Sequence, residues 1–169
     1  MEKQFLIRPA VPTDVPEILR LIRELAVYEK LEHMVVGTNA TLHASLFGAH
    51  PAAECLLAEA EGRAVGFALY FTTFSTFLCK PGIHLEDLFV EPGERGRGIG
   101  KALLARLATI AVERGCGRLE WNVLDWNTPS IRFYESLGAK IMKEWWLVRM
   151  TAPEFGALAG AEARKSAGD

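Results

Sequence analysis

Two kinds of apolar periodicity alternate along the chain, and together they predict a mixed series of helices and strands. In several stretches apolar residues recur every three or four positions, which is typical of a helix with one buried face. These helices are predicted from Thr13 or Asp14 to about residue 30, at 39–47, between the glycines at 100 and 115, and at 128–137. Other stretches are short, apolar and rich in strand-forming side chains. They lie at residues 5–8, 55–59, 64–73, 83–90 and 118–124, with one bent strand or two short ones at 139–150.

The order of these elements predicts an α/β fold. Residues 61–63, Glu-Gly-Arg, form a tight turn, so the strands on either side of it should pair as an antiparallel hairpin. Strand 83–90, the helix after it and strand 118–124 form a crossover unit, which places a parallel pair in an otherwise antiparallel sheet. From residue 152 onward the chain is mostly Ala, Gly and charged residues. We therefore expect one domain over residues 1–151 and a frayed or loosely helical tail over 152–169.

Composition narrows the possible functions. The 169 residues are 50% hydrophobic and 24% charged, enough to bury a core without disulfides or a structural metal. A net charge of -2 gives no general attraction to nucleic acid or to an anionic membrane. No apolar run approaches the length of a membrane span, and the N-terminal one is too short for a signal peptide. Three cysteines without C-x-x-C spacing and four scattered histidines predict no metal site and favour the reducing cytoplasm.

A glycine-rich turn, Arg-Gly-Arg-Gly-Ile-Gly-Lys at residues 95–101, stands between a predicted strand and a predicted helix. Unpaired backbone amides and the positive end of the helix dipole converge at such a point, so it is a candidate phosphate site. Arg95, Arg97 and Lys101 can add positive charge at its rim. A Walker A loop would need a glycine at residue 95 and Ser or Thr at residue 102, and a dinucleotide fingerprint lacks its third glycine.

Two motifs carry a resemblance to the GNAT family of N-acetyltransferases. The turn has the form Arg-x-x-Gly-x-Gly, which resembles the acetyl-CoA motif of that family. Residues 126–139, Trp-Asn-Thr-Pro-Ser-Ile-Arg-Phe-Tyr-Glu-Ser-Leu-Gly-Ala, resemble its later block, at the expected distance after one helix and one strand. The resemblance extends from about residue 7 to residue 150. Within the family the chain is most similar to spermidine/spermine acetyltransferases and to thialysine acetyltransferases.

The resemblance implies a fold and a co-substrate. The GNAT fold is a mixed, mostly antiparallel sheet with a splayed parallel strand pair and helices on both faces. The implied co-substrate is acetyl-CoA, with no metal, and the implied assembly is a homodimer in which strands at about 145–150 pack across the two-fold axis. The residues implied to contact the coenzyme are Leu88, Phe89, Val90, Arg95, Gly96, Arg97, Gly98, Ile99, Gly100, Lys101, Asn127, Ser130 and Tyr134.

Acetyl transfer to an amine requires a base, an oxyanion donor and an acid. An aliphatic ammonium with a pKa of about 10.4 must first lose a proton. The resemblance implies that Glu86 accepts this proton through water, with Asp87 as the alternative, and strand alternation predicts Glu86 on the face of Leu88 and Val90. It also implies that Tyr134 protonates the departing thiolate, and the Val90 amide is the expected oxyanion donor. Phe133 is interpreted as a core aromatic residue.

The acceptor is expected to be a cationic amine in an acidic pocket. The predicted pocket residues are Tyr28, Glu29, Glu86, Trp121, Asn122 and Glu144. Polyamines, diamines and thialysine-like or lysine-like amines fit such a pocket because carboxylates attract cations and repel anions. No histidine is near Cys116 in the sequence, so direct attack by the amine is favoured over a cysteine intermediate. Two alternatives stay open: acetylation of a protein lysine or N-terminal amine, and a non-catalytic acyl-CoA sensor.

Overall fold

The computed structural model of the chain describes residues 5–166, with side chains as far as residue 160. The chain divides into two compact units, the first ending at Asn122 and the second beginning at Val123. The first unit is built on a five-stranded sheet in the order β1-β2-β3-β4-β5. Its strands are β1 Leu6–Pro9, β2 Glu54–Ala60, β3 Arg63–Ser75, β4 Lys80–Val90 and β5 Leu119–Trp121.

The sheet has the mixed topology that the sequence predicted. Strands β1 to β4 are antiparallel neighbours, and β4 pairs with β5 in parallel. The predicted β2–β3 hairpin is confirmed, with Ala60 opposite Arg63 around a turn in which Glu61 and Gly62 both have positive φ. Strand β5 is shorter than the predicted 118–124. Its three residues pair only with Ile83, His84 and Leu85 of β4.

Three helices belong to the first unit, and they cover both faces of the sheet. They are α1 Val15–Glu29, α2 Asn39–Phe47 and α3 Ile99–Glu113. On one face, Ile18 and Leu21 of α1 pack in a core cluster with Phe67 and Phe89. On the other face, the Arg114 guanidinium at the end of α3 lies 5.9 Å from the ring centre of Tyr70.

Local signals explain where the first two helices begin and end. The side chain of Thr38 accepts a hydrogen bond from the Thr41 amide and caps α2. Before α1, Arg8 of β1 pairs with Asp14 at 2.6 Å, so the strand and the start of the helix are tied together. Lys30 ends α1 in the left-handed conformation, with φ of 60°.

The second unit contains two helices, α4 Thr128–Ser136 and α5 Ala152–Ser166. Helix α4 agrees with the prediction, and α5 is a described helix where a frayed or loose one was expected. The strands expected at 139–150 are absent: within the described part of this unit, these residues form turns and irregular chain. Nearly all of their side chains are exposed, including Trp146 at 88% and Val148 at 87%. Apolar alternation alone does not make a strand when no neighbouring strand supplies backbone partners.

One irregularity of the sheet lies in β4. Leu69 of β3 is opposite Asp87, but the next residue, Tyr70, is opposite Leu85. Glu86 is therefore the extra residue of a β-bulge. A bulge changes the direction of the side chains around it, and this one is three residues before Phe89, the first of the two buried residues that end β4.

Candidate active site

The glycine-rich turn forms the N-terminus of α3, where the sequence predicted a phosphate site. Gly96 and Gly98 have φ of 78° and 84°, a conformation that L side chains rarely adopt. The first hydrogen bond of the helix joins the Ala102 amide to the Gly98 carbonyl at 3.0 Å. The amides of residues 99–101 precede it and have no acceptor within the helix, so they are available to an anion.

The space in front of this turn is open. A Cβ built on Gly96 or on Gly98 would meet no atom within 4 Å. A bulky anion such as a pyrophosphate can therefore approach the backbone closely, which side chains at these positions would prevent. The turn fits the phosphates of the coenzyme that the sequence implied.

The three cations of the turn have different surroundings. Arg97 is ion-paired with Glu94, three residues before it. The Arg95 guanidinium lies 4.7 Å from the ring centre of Tyr28, and its Nε donates a 3.0 Å hydrogen bond to the Val90 carbonyl. Lys101 is exposed and forms no ion pair with any residue that the structure describes. Arg95 thus connects the turn to α1 instead of standing free at the rim.

Beyond Leu85 the outer edge of β4 has no partner strand in residues 5–166. The Glu91 amide donates to the Val65 carbonyl at 2.9 Å, so residues 91 and 89 point their backbone groups toward β3. Residues Leu88 and Val90 alternate with them and point theirs outward. Two backbone amides are therefore presented along an open strand edge that leads directly to the glycine-rich turn.

Acidic side chains gather around the bulge. Burial, together with the neighbouring charges of Glu86 and Glu29, raises the pKa of Asp87 to about 6. Burial also raises the pKa of Glu29 at the end of α1. Glu86 is more open, with 56% of its side chain exposed. These three carboxylates form the acidic cluster of the first unit, and Glu29 and Glu86 were predicted to share a pocket.

The orientation predicted for Glu86 is wrong. Strand alternation put it on the face of Leu88 and Val90, but a bulge residue does not follow that alternation. One of its carboxylate oxygens lies 3.8 Å from Nε2 of His84. The His84 ring in turn stacks on Phe71, with ring centres 5.1 Å apart. Phe71 shares its face of β3 with Leu69, which packs against the α1 core cluster.

The other residues predicted for the acceptor pocket are spread over several elements of the chain. Tyr28 lies under Arg95, and Trp121 stands beside Leu85 in the β4–β5 ladder. Asn122 is exposed at the end of the first unit. Glu144 is exposed in the irregular segment of the second unit.

The second unit holds three further predicted residues on or next to α4. Tyr134 is 8% exposed, and its ring centre is 5.4 Å from that of Phe133. Asn127 is buried and caps the helix, because its side-chain oxygen accepts a 3.4 Å hydrogen bond from the Ser130 amide. Asn127 and Ser130 were both predicted to contact the coenzyme. The structure shows in addition that Asn127 caps α4.

Two residues of the site were missed from the sequence. His84 was grouped with scattered histidines, and Phe71 was treated only as a strand residue. The spacing His-x-Glu at 84–86 was visible, but simple alternation gave no reason to connect it with the acidic cluster. The bulge supplies that reason.

Comparison with known proteins decides the family. The model of the acetyltransferase (GNAT) family matches residues 20–139. The chain belongs to the GNAT family. It is an N-acetyltransferase, and the family resemblance carried by the turn and by residues 126–139 is confirmed.

Similar proteins are named as acetyltransferases of small amines. A thialysine N-epsilon-acetyltransferase of Bos taurus is 40% identical and covers 92% of this chain and 97% of its own length. An L-ornithine N5-acetyltransferase, NATA1, of Arabidopsis thaliana is 34% identical, covering 90% and 86%. A spermidine/spermine N(1)-acetyltransferase-like protein 1 of Homo sapiens is 37% identical over 89% of this chain and 23% of its own length. The similarity to thialysine and spermidine/spermine members predicted from the sequence is confirmed.

Within residues 5–166 this GNAT protein has neither a candidate metal site nor a membrane-spanning helix. No group of three or more His, Cys, Asp or Glu residues there is arranged to hold a metal ion. No helix there has both the length and the apolar character needed to cross a bilayer.

Proposed function

We propose that this N-acetyltransferase transfers the acetyl group of acetyl-CoA to a small cationic amine. Thialysine-like, lysine-like and ornithine-like amines, diamines and polyamines are the candidate acceptors. The observation that carries the proposal is the acidic cluster formed by Glu29 of α1 with Glu86 and Asp87, the last two on the strand that leads into the glycine-rich turn. Carboxylates next to a thioester site attract a cation and repel an anionic acceptor. The relatives named for thialysine, ornithine and spermidine/spermine support the same class.

In this proposal the chain binds the coenzyme along one continuous path. The amides of residues 99–101, with Lys101 and Arg97, hold the pyrophosphate, and the outward amides of Leu88 and Val90 hold the pantetheine arm as an added strand. The family resemblance also implies contacts to the coenzyme from Asn127 and Ser130. The coenzyme supplies an acetyl thioester, which is the activated acyl group. All other steps are carried out by side chains and amides of the chain.

The amine attacks the thioester carbonyl directly. A C–N bond forms and the Val90 amide stabilises the oxyanion. The C–S bond then breaks as Tyr134 gives its proton to the thiolate, and the nitrogen of the new amide loses its extra proton to water. Glu86 accepts the proton of the ammonium through water, and Asp87 is the alternative acceptor. Cys55 is a poor nucleophile because burial raises the pKa of its thiol to about 12.

We expect the protein to act in the cytoplasm as a homodimer. The exposed apolar side chains between 145 and 150 favour a partner surface in that segment, and Trp146 and Val148 are almost fully exposed. Light scattering should give about twice the 18.7 kDa mass of the chain. A single-chain mass at micromolar concentration contradicts the dimer.

The function is tested with an acceptor panel and thiol release as the readout. The panel contains spermidine, a diamine, thialysine, lysine, ornithine, a lysine-containing peptide and an anionic amine. We expect acetyl-CoA-dependent release with small cationic amines. Release only with the peptide would point to a protein acceptor, and binding of acetyl-CoA without release would point to a sensor; either result contradicts the proposal.

A further inference from the structure

We propose that His84 is a proton store for this site, acting through Glu86. The inference rests on the proposed function, because it concerns the proton that the acceptor amine must lose. His84 Nε2 and Glu86 Oε2 are 3.8 Å apart. That separation exceeds a direct hydrogen bond, but one bridging water or a small rotation of either side chain closes it.

The side chains of Glu86 and His84 differ in mobility, and this difference favours proton transfer from one to the other. Glu86 is 56% exposed and sits on a bulge, so it can reach toward an acceptor. His84 is 18% exposed, and its ring is stacked on Phe71. The imidazole is therefore held in place, while the carboxylate is the mobile partner.

The chemistry also favours transfer from the carboxylate to the imidazole. Before the attack, one N–H bond of the ammonium breaks, which leaves a lone pair on the nitrogen, and an O–H bond forms on Glu86 through water. That O–H bond then breaks and an N–H bond forms on Nε2 of His84. Imidazole is a stronger base than a carboxylate, so the proton moves on from Glu86 to His84, and water then removes it. Glu86 is returned to its anionic form for the next acceptor.

Several carboxylates lie around His84, and the one in contact with it is that of Glu86. Asp87 on the same strand adjoins Glu86, and Glu29 approaches Asp87 from α1. On the neighbouring strand β5, Glu120 is opposite His84 but is itself paired with Arg118 at 3.3 Å. On β3 the residue opposite is the uncharged Phe71. Among the described residues, Glu86 is the one whose carboxylate lies within 4 Å of a His84 ring nitrogen.

The test compares wild type with His84→Phe, which keeps a ring to stack on Phe71 but cannot hold a proton. We expect kcat with a cationic amine to fall at least 10-fold at pH 7, with the KM for acetyl-CoA unchanged. Added imidazole buffer should restore part of the variant's kcat and leave the wild type unaffected. The dependence of kcat on pH should also be altered. A purely structural role would give neither buffer rescue nor an altered pH dependence.

His43→Phe is the matched control, since His43 also lies beside an aromatic ring, that of Phe47 at 5.8 Å, but on α2 and exposed. It should behave as wild type. If His84→Phe keeps the wild-type kcat and pH profile, or loses activity without rescue by imidazole in a folded protein, the proton store is wrong. If wild type acetylates no amine at all, the proposed function fails first, and the proton store with it.

Discussion

The guanidinium carbon of Arg95 lies 4.7 Å from the centre of the Tyr28 ring. Arg95 is the first residue of the glycine-rich turn, and Tyr28 is near the end of α1, one residue before Glu29. The same guanidinium is 5.8 Å from the ring centre of Phe89. The contact joins the glycine-rich turn to α1, the helix that carries Glu29. The proposed coenzyme site and the proposed acceptor pocket are therefore in direct contact.

Removing the Tyr28 ring should loosen the turn. A cation–π contact of this kind contributes about 0.5–2 kcal/mol, so Tyr28→Leu should weaken acetyl-CoA binding by about 2- to 30-fold. Tyr28→Phe keeps the ring and should bind nearly as wild type. Calorimetric titration of each variant gives the dissociation constants. Equal affinities for the Leu variant and wild type would show that the contact does not position the turn.

Gly98→Asp should nearly abolish acetyl-CoA binding. The substitution places a negative charge and a Cβ in open space at the start of α3 and also requires φ of 84° from an L residue. Gly93→Asp is the control, because a Cβ there also meets nothing within 4 Å but no left-handed backbone is required. Calorimetry on folded proteins should find loss of binding for the first variant and little change for the second. If Gly98→Asp binds acetyl-CoA with wild-type affinity, the pyrophosphate does not bind at this turn.

Much of the glycine-rich turn could be predicted from the sequence because its conformation depends on the local backbone. Gly96 and Gly98 are required by a local conformation, and the motif spacing fixes the helix start after them. The orientation of Glu86 could not be predicted, because a one-residue bulge depends on the register between two strands. The strands expected at 139–150 are absent for a similar reason. Alternating apolar residues favour a strand, but a strand forms only where a neighbouring strand pairs with it.

Tyr134→Phe removes one hydroxyl and should lower kcat by about 10- to 1000-fold, the range of general acid catalysis. The ring packing beside Phe133 is retained, so the melting temperature and the affinity for acetyl-CoA should change little. Tyr70→Phe, in the first unit next to Glu54, is the control and should leave kcat unchanged. Stopped-flow measurement of the chemical step provides the readout. An unchanged step in Tyr134→Phe would leave Tyr134 as a packing residue.

Asp87→Asn should stabilise the fold at neutral pH but not in acid. The pKa of Asp87 is about 6 when folded, above its value of about 3.9 in an unfolded chain. The folded state therefore disfavours the ionised form, and stability falls as pH rises from about 4 to about 6. The variant lacks this loss, so its advantage in the free energy of unfolding should grow across that window to about 3 kcal/mol and then stay constant.

Urea unfolding of Asp87→Asn and wild type at pH 4 and at pH 7 measures this difference. Asp125→Asn, which changes an exposed carboxylate, is the matched control and should show no such growth. An advantage that is the same at both pH values would mean that the Asp87 carboxylate is not penalised by its surroundings.

The central claim is that carboxylates near the thioester select a cationic acceptor. The most direct measurement is the ratio of kcat/KM for 1,5-diaminopentane to that for pentylamine, which has the same reactive amine but lacks the second charge. We predict a ratio of at least about 10 for wild type, falling several-fold in Glu29→Gln and in Glu86→Gln. A wild-type ratio near one, or a ratio that both variants leave unchanged, would contradict the account.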